Sequence, residues 1–253
     1  MNHIGILGII PARYASTRYP GKPLVDIDGK SMIQRVYEQA NKALKNVYVA
    51  TDDSRIFEAV NKFGGKAVMT SIEHQSGTDR CNEALSIIEK EEGKTYDVVI
   101  NIQGDEPFVD PLLLDTLAGC FKSSVTEIAT LVKPLEEVDD LWDPNKPKVI
   151  FNPSYEALYF SRSTIPYLRQ YPKEEWLQHH PYYLHIGLYA YRSDVLREIT
   201  NLPPSRLELA ESLEQLRWLE NGYKISVRTV EYNSIGIDTP EDLDRMIKKG
   251  IPK

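Results

Sequence analysis

The sequence predicts an α/β protein with a mostly parallel central sheet covered by helices. Three observations carry that expectation. Short apolar runs alternate with amphipathic stretches, the runs open into polar loops, and hydrophobic residues make up 42% of the 253, enough for a conventional core. The apolar run from Ile4 to Ile10 reads as the first buried strand. It opens into Pro11-Ala12-Arg13-Tyr14-Ala15-Ser16-Thr17-Arg18-Tyr19-Pro20-Gly21-Lys22-Pro23-Leu24, a loop with three cations and a glycine that lets the backbone approach a ligand. The helical pattern Met32, Ile33, Val36, Ala40, Ala43, Leu44 follows, with Ser31 as its cap.

Val47-Tyr48-Val49-Ala50 is the next strand. Thr51-Asp52-Asp53-Ser54 then starts a helix with Ile56, Val60 and Phe63 on its apolar face, closed by Gly64-Gly65. Ala67-Val68-Met69 is a further strand, and a helix from Asp79 to about Glu91 follows the loop His74-Gln75-Ser76-Gly77-Thr78-Asp79-Arg80. Asp97 to Ile102 is again a buried strand, opening into Gln103-Gly104-Asp105-Glu106-Pro107.

Beyond this point the pattern is less regular. Pro134 to Pro147, rich in Asp, Glu, Pro and Asn, reads as a loop or crossover. Tyr155 to Tyr191 is dense in aromatics, as cores and subunit interfaces are, and contains strands Ala157 to Phe160 and Leu184 to Ala190. Leu207 to Glu220 is expected as one amphipathic helix with Leu209, Leu213, Leu216 and Leu219 on its apolar face, ended by Asn221-Gly222. Thr239, Pro240 and Asp242 supply the cap, N1 and N3 of a last helix. With no repeat and no convincing linker, residues 1–253 read as a single domain carrying an elaboration at about 134–191.

The formal net charge of −7 argues against nonspecific nucleic-acid binding, which wants a basic surface. Cys81 and Cys120 lack metal-ligand spacing, which disfavours a disulfide framework or a zinc site. No apolar run approaches ~18 residues and no signal peptide is recognisable, so the chain reads as a soluble cytoplasmic protein without membrane insertion.

In parallel sheets, ligands gather outside the carboxyl ends of the strands. That edge would collect the cationic loop, Thr51-Asp52, the Ser76-Gly77 loop and the Asp105 loop. Arg13, Arg18 and Lys22 suit phosphate oxygens, although a solvated surface turn would carry the same residues. The loop is not a Walker loop, because Gly-x-x-x-x-Gly-Lys-Ser/Thr is absent. Asp105 at a strand end could hold Mg²⁺, which takes few protein oxygens plus substrate phosphates, or could simply cap a helix.

Pro11-Ala12-Arg13 through Gly21-Lys22-Pro23-Leu24 resembles the signature of the sugar-activating cytidylyltransferases. His74 to Arg80 and Gln103 to Pro107 narrow the likeness to those that activate the acidic sugar 3-deoxy-manno-octulosonate (Kdo). The likeness runs from about Ile6 to Asp238-Thr239-Pro240-Glu241-Asp242, nearly the whole chain. It implies a Rossmann-like nucleotide-diphospho-sugar transferase fold, with an elaboration at about 134–191 for dimerisation and sugar binding. It also implies CTP and Kdo as substrates, CMP-Kdo and pyrophosphate as products for lipopolysaccharide assembly, Mg²⁺ as cofactor, and a homodimer.

By the same resemblance, Arg13, Lys22 and Asp105 are catalytic, and Mg²⁺ is held by Asp105 and Asp238. Arg13, Arg18, Lys22, Thr51, Asp52, Ser76, Gly77, Arg80 and Asp105 bind the nucleotide. Ser76-Gly77 reads the cytosine edge, and Arg80 either contacts phosphate or stabilises its loop. Gln103, Arg162, His185, Glu214 and Gln215 bind the sugar, Arg162 through its carboxylate. Plainer readings stand beside these: Asp238 in a solvent-facing turn, Arg162 in an ion pair, His185 as a core histidine, Glu214 and Gln215 on a solvated helix face. The rival functions are a cytidylyltransferase for 8-amino-Kdo or sialic acid, and a nucleotide-sensing protein without catalysis.

Overall fold

The structure, a computed structural model, describes residues 4–15, 19–232, 236–237 and 239–249. The chain packs as two compact units, Met1–Ala118 with Asn233–Lys253, and Gly119–Tyr232. The elaboration expected at about 134–191 lies inside the second.

The strands of the first unit are β1 (Ile6–Ala12), the short hairpin pair β2 (Asp26–Ile27) and β3 (Lys30–Ser31), β4 (Val47–Thr51), β5 (Ala67–Met69) and β6 (Val98–Asn101). β6, β1, β4 and β5 lie side by side in that order, all parallel. Leu7, Ile9 and Ile10 of β1 and every residue of β4 and β6 are buried, as continuous apolar runs in a covered parallel sheet must be. Ala12 pairs with Thr51 and Ile9 with Asn101, so the strands deliver their following loops to one edge.

The helices are α1 (Met32–Ala43), α2 (Ser54–Lys62), α3 (Gly77–Glu92) and α4 (Pro111–Cys120). α1 starts where the Ser31 hydroxyl accepts the Gln34 N–H, and it buries Met32, Ile33, Val36 and Ala40. α2 is capped by Asp53, and Gly64 leaves it at φ 81°. α3 begins two residues before the expected Asp79, because the Ser76 hydroxyl accepts the Asp79 N–H. The last helix of the chain, Pro240–Lys249, is capped reciprocally by Thr239 and Asp242. Its Leu243 and Met246, with Ile237 just before it, join a cluster with Ile27 and Met32.

The second unit contains β7 (Ile128–Pro134), α5 (Val138–Trp142), β8 (Lys148–Phe151), β9 (Ala157–Ser161), α6 (Trp176–His179), β10 (Tyr183–Arg192), α7 (Ser193–Ile199), α8 (Arg206–Glu211), α9 (Gln215–Glu220) and β11 (Ile225–Thr229). β7 is parallel to β11 and antiparallel to β10. β10 also pairs antiparallel with β8, and β8 with β9. Two expectations need correction. The stretch read as a loop or crossover, Pro134 to Pro147, contains the short helix α5. The single helix expected over Leu207 to Glu220 is two, because Ser212 adopts φ 51° and ends α8. The break changes the phase of the leucines: Leu213 and Leu216 are buried, whereas Leu209 is 69% exposed.

Candidate active site

At the carboxyl edge of the first unit, the loop after β1 closes on itself. The Gly21 N–H donates to the Tyr14 carbonyl at 3.0 Å, and Gly21 sits at φ 73°. A Cβ there would stand 3.0 Å from the Tyr14 ring, so both backbone and space call for glycine. This closure brings Arg13 and Lys22 to one cavity of about 230 Å³, shared with Gln103 and Asp105. The loop after β6 reaches it by close backbone approach, since a Cβ on Gly104 would lie 3.0 Å from the Pro11 carbonyl oxygen.

Inside the cavity the Lys22 Nζ donates to Asp105 Oδ2 at 2.9 Å, with side chains 14% and 33% exposed. Arg13 is exposed at its rim. The Asp105 carbonyl accepts the Ile237 N–H at 3.1 Å, which ties the end of the chain to this loop. Arg18 and Asp238 lie outside the described residues. Among the described residues, no group of three or more His, Cys, Asp or Glu side chains is arranged to hold a metal. A single carboxylate beside cations fits Mg²⁺, which is bound through one or two carboxylates plus substrate phosphates and waters, better than it fits zinc.

Ser76 and Gly77 open α3 against the end of β1: a Cβ on Gly77 would meet Pro11 Cγ at 3.3 Å. Three neighbouring residues expected at the nucleotide are turned inward instead. Arg80 is 4% exposed, and it donates to Asp52 Oδ2 at 2.7 Å, Thr70 Oγ1 at 2.6 Å and the Ser71 carbonyl at 3.3 Å. Of its two expected roles, this geometry serves the loop. Asp52 is the other half of that pair, and the buried Thr51 hydroxyl accepts the Asp53 N–H.

In the second unit, the Tyr189 ring lies between His185 and Trp218, a residue of α9, the helix that starts at Gln215. His185 Nε2 lies 3.1 Å from Thr130 Oγ1, and its ring meets Phe160 edge-on at 5.1 Å and Tyr189 at 5.2 Å. Burial pushes its pKa down to about 3, so the imidazole is neutral. Burial and the nearby Glu214 carboxylate push the Tyr189 phenol well up. Gln215 Nε2 is buried without a hydrogen-bond partner among the described residues, and the buried Tyr189 hydroxyl lies beside the Thr130 hydroxyl.

Arg162, expected either as a carboxylate receptor or as a paired side chain, is engaged within the protein. Its side chain donates to the carbonyls of Glu211, Ser212 and Pro144, while its N–H donates to the Glu211 carboxylate. It braces the α8–α9 turn rather than facing outward as a carboxylate receptor. Tyr189 was not singled out by sequence reasoning. Its position depends on the irregularity between Ile186 and Tyr189 in the pairing of β10 with β7, which leaves no mark in an aromatic-rich run.

A parallel α/β unit with a cationic loop and a carboxylate at the carboxyl edge of its strands defines a nucleotidyltransferase. Residues 7–225 match the family model described as Cytidylyltransferase. The chain is 61% identical to a 3-deoxy-manno-octulosonate cytidylyltransferase of Parabacteroides distasonis, over 95% of this chain and 96% of the relative. It is 46% identical to an 8-amino-3,8-dideoxy-manno-octulosonate cytidylyltransferase of Shewanella putrefaciens, over 96% of this chain and 97% of the relative. Among solved structures it is similar to CMP:2-keto-3-deoxy-manno-octonic acid synthetase complexed with CTP, at 43% identity and a TM-score of 0.88, covering 97% of this chain and 98% of that one. The chain belongs to the cytidylyltransferase family.

Proposed function

We propose that this enzyme transfers the cytidylyl group of CTP to the anomeric hydroxyl of Kdo, giving CMP-Kdo and pyrophosphate, an activated sugar for lipopolysaccharide assembly. The observation that carries the reading is the cavity that joins Arg13, Lys22 and Asp105, in a chain 61% identical to a relative named for this reaction. The sugar oxygen bonds to the α-phosphorus, the bond to the β-phosphate oxygen breaks, and the hydroxyl proton is released. Charge grows on the phosphoryl oxygens and on the leaving pyrophosphate.

Lys22, paired with Asp105 before nucleotide arrives, exchanges that partner for phosphate, and Arg13 and Arg18 add their charge. Asp105 and Asp238 would hold Mg²⁺, whose charge neutralisation assists departure of pyrophosphate. The hydrogen bond from Ile237, the residue before Asp238, to Asp105 supports that pairing of distant segments. Ser76 and Gly77 present backbone to the cytosine, and Gln103 completes the cavity wall.

Sugar contacts are assigned to His185, Glu214 and Gln215, with Tyr189 added. The buried Gln215 amide suits a hydroxyl-rich ligand, because binding satisfies a group that is otherwise costly to bury. A second copy of the chain is the expected partner. Leu158, 57% exposed on β9, and Leu209 suit an apolar interface. No helix among the described residues is long and apolar enough to cross a membrane.

The 8-amino sugar is the second reading, favoured by the 46% relatives and outweighed by those at 61%. Competition of Kdo against 8-amino-Kdo, with products separated by mass, tests the choice. CMP-Kdo should dominate, and a dominant 8-amino product would overturn the substrate assignment.

A further inference from the structure

Glu83 lies in the second turn of α3, behind the loop of residues 70–76 that leads to Ser76 and Gly77. Arg80 and Glu83 are three residues apart and share a helix face. Together they grip Ser71 by both of its backbone groups: Glu83 Oε2 accepts the Ser71 N–H at 2.7 Å, and Arg80 donates to the Ser71 carbonyl at 3.3 Å. The same Glu83 oxygen meets His74 Nε2 at 2.5 Å, two residues short of the Ser76 cap. Between these pins the loop is cross-tied, with Ser71 Oγ accepting the Glu73 N–H and Gln75 donating to the Glu73 carbonyl. Arg80 also anchors the assembly to the end of β4 through Asp52. Burial alone would raise the Glu83 pKa, but the Ser71 N–H, His74 and Arg80 outweigh it and hold the carboxylate below its usual range.

We propose that Glu83 is a positioning residue for the nucleotide base, holding the 70–76 loop through Ser71 and His74 so that the Ser76–Gly77 backbone stands fixed at the end of β1. The inference rests on the reading that Ser76 and Gly77 meet the base. Glu83 touches no substrate. Without it the loop would have to be ordered by the nucleotide itself, and that cost would fall on CTP affinity rather than on the chemical step.

The test uses the full chain, with Glu83→Ala and Glu83→Gln. CTP binding is measured by calorimetry without sugar, kcat and both KM values from pyrophosphate release, and thermal stability on the same preparations. Glu83→Ala should raise the Kd and KM for CTP about tenfold, as the loss of a charge-assisted hydrogen bond predicts. Its kcat at saturating CTP and its KM for Kdo should stay within about twofold. Glu83→Gln still accepts the Ser71 N–H and should recover most of the affinity. Wild-type affinity in Glu83→Ala overturns the inference, as does a parallel fall of every parameter with Tm, which marks a merely structural residue. Should Glu83→Ala fail to fold, His74→Ala carries the test, with a threefold to fivefold rise in CTP KM expected and no change overturning it. Wild-type protein that binds no CTP would instead overturn the base-reading assignment on which the inference stands.

Discussion

Replacing Lys22 by Ala separates catalysis from stability. In the structure Lys22 is 14% exposed and pairs at 2.9 Å with an Asp105 that is 33% exposed. Removing the ammonium leaves Asp105 with water still in reach, so the folding cost should be about 1 kcal/mol or less, typical of a pair that solvent can replace. On the proposed mechanism the same ammonium faces phosphate charge that grows as pyrophosphate leaves. Loss of one such preorganised donor costs about 3 kcal/mol, roughly a hundredfold in kcat. Arg13 remains at the cavity, which keeps the loss from exceeding that figure. Pyrophosphate release at saturating CTP and sugar reads the effect, alongside Tm on the same sample. Lys22→Arg keeps the charge and should recover much of the rate. A kcat within threefold of wild type, with Tm unchanged, would refute the catalytic role of the loop.

Arg80→Ala should destabilise the protein by roughly 3 kcal/mol, because it leaves Asp52, 13% exposed at its side chain, without its partner. Thermal denaturation followed by circular dichroism checks this, and a loss below about 1 kcal/mol with a hundredfold rise in CTP KM would return Arg80 to the phosphates. His185 makes stability pH-dependent in a stated window. Its folded pKa of about 3 lies below the unfolded 6.5, so the unfolded chain binds the extra proton and stability falls as pH drops from about 6.5 toward 3. Urea midpoints between pH 6.5 and 4.5 should record a loss of about 2 kcal/mol that His185→Asn lacks, and equal slopes would contradict the burial argument. Glu92 adds its own loss only below its ordinary 4.5. There burial is outweighed by hydrogen bonds from Tyr48, Tyr96 and Lys94, which hold its pKa at about 2. Asp105→Asn should abolish Mg²⁺-dependent turnover, and an unchanged Mg²⁺ titration of the rate would place the metal elsewhere.

The first unit was legible because each of its signals is local. Ser31, Asp53 and Ser76 cap the helices they precede, and Ala67-Val68-Met69 is a strand at the expected bounds. The apolar run at Ile4 to Ile10 found β1, although pairing with β4 carries the strand on to Ala12. Lys22 and Asp105 could be named separately from their loops, but their contact spans 83 residues of sequence and needed the sheet to bring it about. Arg80 shows the limit of motif reading. Its position beside Ser76-Gly77 leaves a phosphate contact and a loop brace equally open, and only burial with three internal acceptors favours the brace. The second unit was less legible because its determinants are irregularities. The left-handed Ser212 splits one expected helix in two, and a register shift in β10 places Tyr189. For Arg162 the sequence leaves a carboxylate receptor and an ion-pair partner equally open, because nothing in it ties the residue to Glu211, 49 residues away.

The central claim is tested most directly by pyrophosphate release with Mg²⁺ and Kdo, offering CTP, UTP, ATP and GTP in parallel. Release with CTP, absent when Kdo is left out and at least tenfold slower with the other nucleotides, is the predicted result, tenfold being what a single base-reading hydrogen bond of about 1.4 kcal/mol supplies. Tight CTP binding without release for Kdo, 8-amino-Kdo or sialic acid would contradict it and make the protein a nucleotide sensor.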